Sequence, residues 1–436
     1  MFPIYHIAAA IRSFHPASLP PGSRFHYRRE VLAWAFLPMM MGAAEGGVIG
    51  VLAKRFFTGY VDDTLLDWSV AAITAAQGVA NISGFAWAAI SHGRHKIRFL
   101  TALSTVTVLL VAGIALTQRT PGGLLWLLCC FVGARVCWSG VITLRTAVWQ
   151  ANYPREGRAR IAGKIATVQA LIFTVASLCI GELMNVNDQS YRWVFPTAAV
   201  MGMVGTIFYS RMRVRRHKTM LKAEKAGSGS LVSAPIDAAR LLVEDPDFGR
   251  YMVCQFVYGL GNLMVMAPLV VALAERFEYG YLGQIAIVST IPIALIPITV
   301  PLWARFLDRV HIIRFRAWQG WVFVTSSVLF AIGVLTGGGV WLWLGAIIRG
   351  IGFGGGVLAW NLGHQDFAAI EESGKYMGVH MTLTGIRALI APALGMGTYF
   401  AMQRLGDPTG GTTFAVAAAI STLGSIGFVL MLRHHK

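Results

Sequence analysis

Long apolar stretches, separated by short polar connections, run through the chain from Val31 to Leu432. A helix needs about 20 mostly apolar residues to cross a bilayer, and stretches of that length recur twelve times. They are predicted at residues 31–53, 66–91, 99–117, 123–148, 163–184, 193–211, 248–273, 281–304, 316–336, 340–362, 377–402 and 410–432. Charged residues make up 13% of the chain, against about 25% in soluble proteins, which excludes a soluble fold. The sequence predicts an all-α polytopic membrane protein with twelve transmembrane helices, here called spans 1 to 12.

Basic residues are distributed unevenly between the loops on the two sides of these spans. Of the 37 lysines and arginines, only six lie in the loops after odd-numbered spans: Lys54, Arg55, Arg119, Arg192, Arg276 and Arg404. Because positively charged loops stay on the cytoplasmic side, both termini are predicted to be cytoplasmic, in the cell inner membrane. This topology accounts for the net charge of +17, so the expected surroundings are a lipid bilayer and no nucleic acid.

One connection, residues 212–247, is much longer than the others. It holds a run of basic residues, a Gly-Ser segment at 227–230 and an amphipathic segment at 236–243, the pattern of a flexible linker with a surface helix. The predicted organisation is therefore a cytoplasmic amino-terminal segment, an amino-terminal six-helix bundle, the linker, a carboxyl-terminal six-helix bundle and a short tail. These are placed at residues 1–30, 31–211, 212–247, 248–432 and 433–436.

Sequence features recur with an offset near half the chain length. Residues 42–45 correspond to 259–262, and Arg135 corresponds to Arg349, each followed five residues later by glycine. Internal repeats of this size are typical of secondary transporters. The repeat predicts two pseudo-symmetric six-helix bundles.

This arrangement, the Arg135 motif of span 4 and the segment Pro154–Gly163 after it resemble the major facilitator superfamily over nearly the whole chain. One loop departs from the family pattern. Residues 90–96, after span 2, lack the acid of the family's Gly-x-x-x-Asp-Arg-x-Gly-Arg motif, whereas the matching loop after span 8 keeps Asp308 and Arg309. The resemblance implies a secondary transporter that works by alternating access.

Charged and strongly polar residues inside the spans are the main functional candidates, because they are costly in a bilayer unless paired or hydrated. Glu45, Arg135, Asn262 and Arg349, on spans 1, 4, 7 and 10, share one depth, roughly 20 Å from the cytoplasmic helix ends. The resemblance implies that these four spans line a central cavity. We therefore predict a midplane site formed by these residues, with Arg387 of span 11.

Glu45 and Arg135 could form an ion pair that opens and closes and so takes up and releases a proton. The alternatives are a permanent salt bridge between spans 1 and 4, and no contact. Arg349 and Arg387 suit a carboxylate or phosphate, which favours an organic anion or amphiphile as the substrate. Alternatively, arginines bond helix-end carbonyls or snorkel to the interface, the interpretation favoured for Arg145.

Other polar residues within the spans could contact the substrate or hold helices together. They are Gln77, Asn81, Gln169, Asn361 and His380. Prolines inside spans 7, 8 and 11 predict bends that serve gating or are static kinks, at Pro268, Pro292, Pro297, Pro301 and Pro392.

The predicted cytoplasmic gate consists of Asp308, Arg309 and Arg94. Asp308 is expected to latch against the start of span 5, near Arg160 and Lys164, when the protein opens outward. The alternative is that Asp308 pairs with a neighbouring arginine on a solvated loop.

No nucleophile elbow, phosphate loop, ATP-binding motif or metal-ligand spacing is found, so no enzymatic activity, cofactor or metal is expected. The predicted function is secondary active transport of a small solute by a monomer, with the proton as the candidate coupling ion. The second hypothesis is a scaffold or sensor of the same fold that does not transport.

Overall fold

The computed structural model describes residues 14–19, 21–153, 155–226, 240–368 and 373–434. Within these ranges ten helices are long and apolar enough to cross a membrane, and a bent pair, Tyr281–Ala294 with Ile296–Leu307, makes an eleventh. A helix of 29 residues, Asp63–Ser91, occupies the place of predicted span 2. The predicted all-α polytopic fold is confirmed.

Each predicted span corresponds to one helix or to a broken series of helices. In chain order these are span 1, Pro21–Ala43 and Gly46–Phe57; span 2, Asp63–Ser91; span 3, Lys96–Gly113; span 4, Pro121–Asn152; span 5, Arg155–Val186; span 6, Tyr191–Ser210; span 7, Pro246–Met264 and Met266–Arg276; span 8, Tyr281–Leu307 with its breaks; span 9, Ile312–Thr336; span 10, Gly339–Leu362; span 11, Ser373–Arg404; and span 12, Thr412–His434. Span 1 thus begins at Pro21 rather than at the predicted Val31. Proline at the first helical position explains the earlier start, since it lacks only an N–H that would be unpaired there.

The linker contains a short helix, His217–Ala226, that the sequence does not predict. Residues 240–244 are also helical, whereas 236–239 of the predicted surface helix lie outside the described residues. The chain therefore enters span 7 from a helical segment.

Spans 1 and 7 break near matching positions of the two halves. In span 7 the break lies at Val265, where Pro268 cannot donate an N–H to the carbonyl of Met264. In span 1 the break lies before Glu45, which has extended backbone angles (φ −79°, ψ 144°) and is followed by two glycines. Discontinuous helices at mid-depth are typical of transporter binding sites.

Span 8 is the most irregular of the spans. It contains a π-helical segment, Ala286–Thr290, followed by short helices Ile291–Ala294 and Ile296–Leu307 with a bend of 42°. Pro292 and Pro297 lie in the first turns of these helices. Span 11, by contrast, continues as one helix through Pro392. The predicted prolines therefore accompany breaks in spans 7 and 8 but not in span 11.

The two halves are joined at mid-depth and at the end opposite the termini, called here the far end. At the far end, Arg55 donates to the carbonyl of Tyr279 at 2.6 Å, and Asn185 accepts from the backbone N–H of Leu282 at 3.4 Å. At mid-depth, Ser177 and Thr290 share a hydrogen bond of 2.8 Å. At the end that carries the termini, the terminal end, no hydrogen bond joins the halves within the described ranges. Hydrogen bonds between described residues thus join the halves at the far end and at mid-depth.

Candidate functional site

Glu45 lies at the break in span 1, about 18 Å from the far end of that span at 1.5 Å per residue. Its Oε2 accepts hydrogen bonds from the backbone N–H groups of Gly47 (2.8 Å) and Val48 (3.3 Å) and from the hydroxyl of Ser289 (2.7 Å). An acidic N-cap is favourable because it satisfies free N–H groups and faces the positive end of the helix dipole. Glu45 therefore caps half of span 1 and binds the π-helical segment of span 8.

Arg135 is half-buried in span 4, close enough to Glu45 to feel its charge. The two side chains form no ion pair within 4.0 Å, and Arg135 has no hydrogen bond to any residue that the structure describes. In this conformation Glu45 is engaged with span 8 instead. A Glu45–Arg135 coupling pair stays a prediction.

Arg349 and Arg387 lie inside the carboxyl-terminal half, with exposed fractions of 1% and 7%. Arg349 donates through Nη2 to the carbonyl of Asn262 at 3.0 Å, and Arg387 donates through Nη1 to the carbonyl of Gln255 at 2.5 Å. Both bonds reach the backbone of span 7: Arg349 bonds a carbonyl near the end of the helix Pro246–Met264, as the helix-end alternative expects, whereas Arg387 bonds one in the middle of it. Among the described residues, no hydrogen bond or ion pair joins either arginine to Glu45 or Arg135.

The remaining predicted polar residues differ in their surroundings. Gln77 is exposed and donates to Asn81 at 2.8 Å within span 2, and Asn361 is exposed and donates to Val357 at 2.7 Å within span 10. Gln169 accepts from the indole N–H of Trp34 at 3.2 Å and so links spans 1 and 5. These contacts leave Gln77 and Asn361 as the more accessible groups.

His380 is fully buried on span 11, edge-on to the ring of Trp360, and its two ring nitrogens have no hydrogen-bond partner among the described residues. Arg316, at the start of span 9, is 2% exposed and donates to Gln319 at 2.8 Å. Arg316 lies one turn inside the start of its helix, where a solvated charge would be expected from the sequence, yet it is buried. Sequence analysis missed the burial of Arg316 because this residue lies near a helix end.

Arg145 belongs to a buried network that sequence analysis also missed. Its Nε lies 2.8 Å from Oε1 of Glu30, with side-chain exposures of 10% for Arg145 and 0% for Glu30. Tyr153 donates to the other carboxylate oxygen at 2.6 Å, and Trp149 donates to Oε1. The guanidinium also stacks on Trp34, 3.4 Å from the ring centroid. Arg145 therefore does not snorkel, because a buried carboxylate from span 1 neutralises it.

Lys54 closes the far end between the two halves. Its Nζ lies 2.6 Å from Asp67 of span 2 and 2.7 Å from Glu275 of span 7, and the Lys54 side chain is 3% exposed. Sequence analysis counted Lys54 only as an outer-loop charge. One buried cation thus ties spans 1, 2 and 7.

The predicted gate residues lie at the terminal end. Asp308 and Arg309 are exposed where span 8 ends, and neither side chain has a hydrogen bond or ion pair with a described residue. Lys164, near the predicted partner segment, donates to Ser18 at 2.8 Å. Arg94 is exposed and lies over the ring of Phe99, 5.8 Å from its centroid. The Asp308 latch stays a prediction.

The linker helix supplies an acid to the loop after span 2, whose own sequence lacks one. Glu224 accepts from the backbone N–H of Gly93 at 2.8 Å and from Lys96 Nζ at 2.9 Å, and its carbonyl bonds the His92 ring at 2.6 Å. Burial alone would raise the pKa of Glu224, but the bonds from Lys96 and Gly93 hold this pKa below its usual value. The linker is therefore docked on this loop by an ionised carboxylate.

Comparisons with known proteins agree with this architecture. The family model for the Major Facilitator Superfamily matches residues 32–392, and no curated protein matches the chain. The POT family transporter PepTSo has a TM-score of 0.70 at 13% identity, covering 94% of this chain and 98% of its own. A D-xylose-proton symporter has a TM-score of 0.69 at 9% identity, and the match covers 91% of this chain and 97% of the symporter. The nucleoside transporter NupG has a TM-score of 0.64 at 15% identity, and the match covers 92% of this chain and 98% of NupG.

At such low identities these structures share the fold alone. The family match is independent of them and extends over most of the chain, from span 1 into span 11. Together with the helices long enough to cross a membrane, it identifies an integral membrane protein. The chain belongs to the major facilitator superfamily, a family of membrane transporters.

Proposed function

We propose that this protein is a secondary active transporter that moves a small organic anion or amphiphile across the cell inner membrane by alternating access. Both termini are taken to be cytoplasmic, so the fastened far end is the outer one and the conformation is inward-facing. The observation that supports this proposal best is the contact of Glu45 with Ser289, which joins the two halves at mid-depth through a broken helix. Such sites at the interface of two repeats are where transporters bind their substrates.

Glu45 is the proposed coupling residue because its protonation changes what it can bind. The carboxylate accepts three hydrogen bonds, two of them from the N-terminus of the second half of span 1. A protonated carboxyl loses the charge that the helix dipole stabilises and becomes a hydrogen-bond donor. It also leaves Arg135 without a nearby negative charge, which favours an anionic substrate in its place.

The test compares gradient-driven accumulation with counterflow in proteoliposomes. Glu45→Gln keeps the shape of the side chain but cannot carry a proton, so we expect accumulation to be lost while exchange of substrate across the membrane persists. Glu278→Gln, which changes an exposed acid in the loop after span 7, is the matched control and should accumulate normally. Normal accumulation by Glu45→Gln would exclude it as the coupling site.

A scaffold or sensor is the second candidate, favoured by the docking of Glu224 on the loop after span 2. A linker that holds this loop could report a ligand-driven movement without any net transport. Flux measurements with a broad panel of labelled anions distinguish the two functions. Ligand binding with no flux of any bound compound would favour the sensor.

A further inference from the structure

One face of span 7 is polar along its whole inner part. Tyr251, Gln255, Tyr258 and Asn262 recur at intervals of three or four residues, which places them on the same side of the helix over roughly 16 Å. Span 11 has the same spacing in His380, Thr384 and Arg387. Except for the half-buried Asn262, each is less than 10% exposed. Together with Arg316 and Arg349 these residues form what we call the polar column.

The polar column contains three cations and no anion. Arg316, Arg349 and Arg387 are 2%, 1% and 7% exposed, and no carboxylate of the described residues lies within 4.0 Å of any of them. Arginine does not release its proton in proteins. A buried charge that lacks a partner is strongly unfavourable. The amino-terminal half meets this need for Arg145 with Glu30, whereas the described residues of the carboxyl-terminal half supply no ion pair to these three arginines.

The three guanidinium groups are only partly hydrogen-bonded. Nε of Arg316, Nε and Nη1 of Arg349, and Nε of Arg387 are buried and have no partner among the described residues, and the hydroxyl of Thr384 is in the same state. The phenol of Tyr258 lies among the three arginines, close enough to feel the charge of each. The column therefore presents unpartnered donors on spans 9, 10 and 11, and those of Arg316 and Arg387 both lie beside Tyr251 and His380.

Span 7 is shaped to admit one of these groups. A Cβ atom at Gly259 would lie 2.1 Å from Nη1 of Arg387, so a larger residue there would displace the guanidinium from its present position. Such a fit indicates that the buried position of Arg387 is specified by the sequence of span 7.

We propose that the polar column binds a phosphate-type dianion through Arg316 and Arg387. A tetrahedral oxyanion supplies several acceptor oxygens and two negative charges, which match two cations that have unpartnered N–H donors and no anionic partner among the described residues. The group could belong to free phosphate or be the phosphate end of a larger solute. In the second case the proposal rests on the proposed transport function. Because these arginines are closed off from solvent in this structure, the anion can enter only if span 7 moves relative to span 11.

Binding is measured with the purified full-length protein in detergent, as the shift of the thermal unfolding midpoint on adding inorganic phosphate, methyl phosphate or chloride at equal ionic strength. We expect phosphate to raise the midpoint and chloride not to. Stabilisation by methyl phosphate as well would assign the site to the end group of an organic solute. A response to inorganic phosphate alone would assign it to the free ion. No difference between phosphate and chloride would overturn the proposal.

Variants of the two arginines test whether they bind phosphate. Arg316→Gln and Arg387→Gln should each weaken phosphate binding at least tenfold, while Arg404→Gln, at the exposed end of span 11, should leave it unchanged. In phosphate-free buffer the first two should unfold at the wild-type temperature or above, because each removes an unpaired buried charge. Lower midpoints with an unchanged phosphate response would show that the arginines are only structural.

The experiment also separates this proposal from transport. Binding in detergent needs no flux, so a chain that binds phosphate but transports nothing contradicts the proposed function alone. Transport with no phosphate-specific stabilisation contradicts the phosphate site alone.

Discussion

Glu30 and Arg145 illustrate how a buried charge depends on its partner. The carboxylate has Arg145, Trp149 and Tyr153 as donors, and its side chain has no exposed surface. Arg145→Met removes the cation and leaves the carboxylate buried, so we expect the free energy of unfolding to fall by about 3–5 kcal/mol. The measurement is denaturant unfolding in detergent.

The double variant Glu30→Gln with Arg145→Met controls for lost packing. It removes both charges, and buried pairs replaced by neutral groups are often tolerated. The double variant should therefore lose less free energy of unfolding than Arg145→Met alone. An equal or larger loss in the double variant would show that stacking of Arg145 on Trp34, rather than charge, dominates.

At the scale of single residues, the sequence located charges but not their partners. Glu45, Arg135, Arg349 and Arg387 stand out because apolar residues flank them on both sides, and that signal depends only on neighbours in the chain. Glu30 lies just before the predicted start of span 1, and Arg316 lies near the start of span 9; both stand among other polar residues, where a buried side chain and a solvated one have the same local sequence. Burial there is decided by packing of other spans, which no single stretch reveals.

Among the elements, the breaks in spans 7 and 8 could be foreseen and the break in span 1 could not. Pro268 and Pro292 each remove a backbone donor, a local effect that the sequence shows directly. Span 1 breaks without a proline at the site, where Gly46 and Gly47 allow it and the bond from Glu45 to Ser289 of span 8 accompanies it. A contact between distant spans cannot be deduced from either one alone.

The docked linker helix should be released by acid. The rings of His95 and His217 are 4.2 Å apart, and burial, then the charges of His217 and Arg98, lower the pKa of His95. The undocked state therefore takes up a proton first, and docking weakens as the pH falls below about 6.5. The lowered pKa of Glu224 acts in the same direction, but only near pH 4 to 5, roughly the range in which a free glutamate titrates.

Spin labels at Thr219→Cys and Ala88→Cys, in a cysteine-free background, measure this release. We expect the distance between the labels to lengthen from pH 7.5 to pH 5.5. His95→Asn should abolish the change over that range, because Glu224 stays ionised there. The same lengthening in His95→Asn would assign the pH dependence to another group.

For the whole molecule, Lys54 should control the equilibrium between states open at either end. Lys54→Met leaves Asp67 and Glu275 as unpaired acids at the fastened end. We expect the population open at the far end to rise at least about tenfold, equivalent to about 1.4 kcal/mol. Spin labels at the exposed residues Leu65 and Leu405, one on each half, should then show a longer distance.

Arg119→Met is the matched control for this shift. Arg119 pairs with Asp188 at 3.2 Å at the same end of the molecule, but both residues belong to the amino-terminal half. Arg119→Met should therefore leave the distance between the two spin labels unchanged. Equal distances in wild type and Lys54→Met would mean that backbone contacts such as Arg55 with Tyr279 hold the far end instead.

The two halves, related by sequence, differ in the net charge of their cores. Glu30 neutralises Arg145 in one, whereas Arg316, Arg349 and Arg387 give the other an excess of three positive charges. An elementary charge moved across 100 mV exchanges about 2.3 kcal/mol with the membrane potential. If rocking carries this core through one tenth of that field, the potential contributes about 0.7 kcal/mol to the conformational balance. A cell at its resting voltage would therefore favour the state that brings the core nearest the negative, cytoplasmic side, and a bound dianion would remove two thirds of that bias.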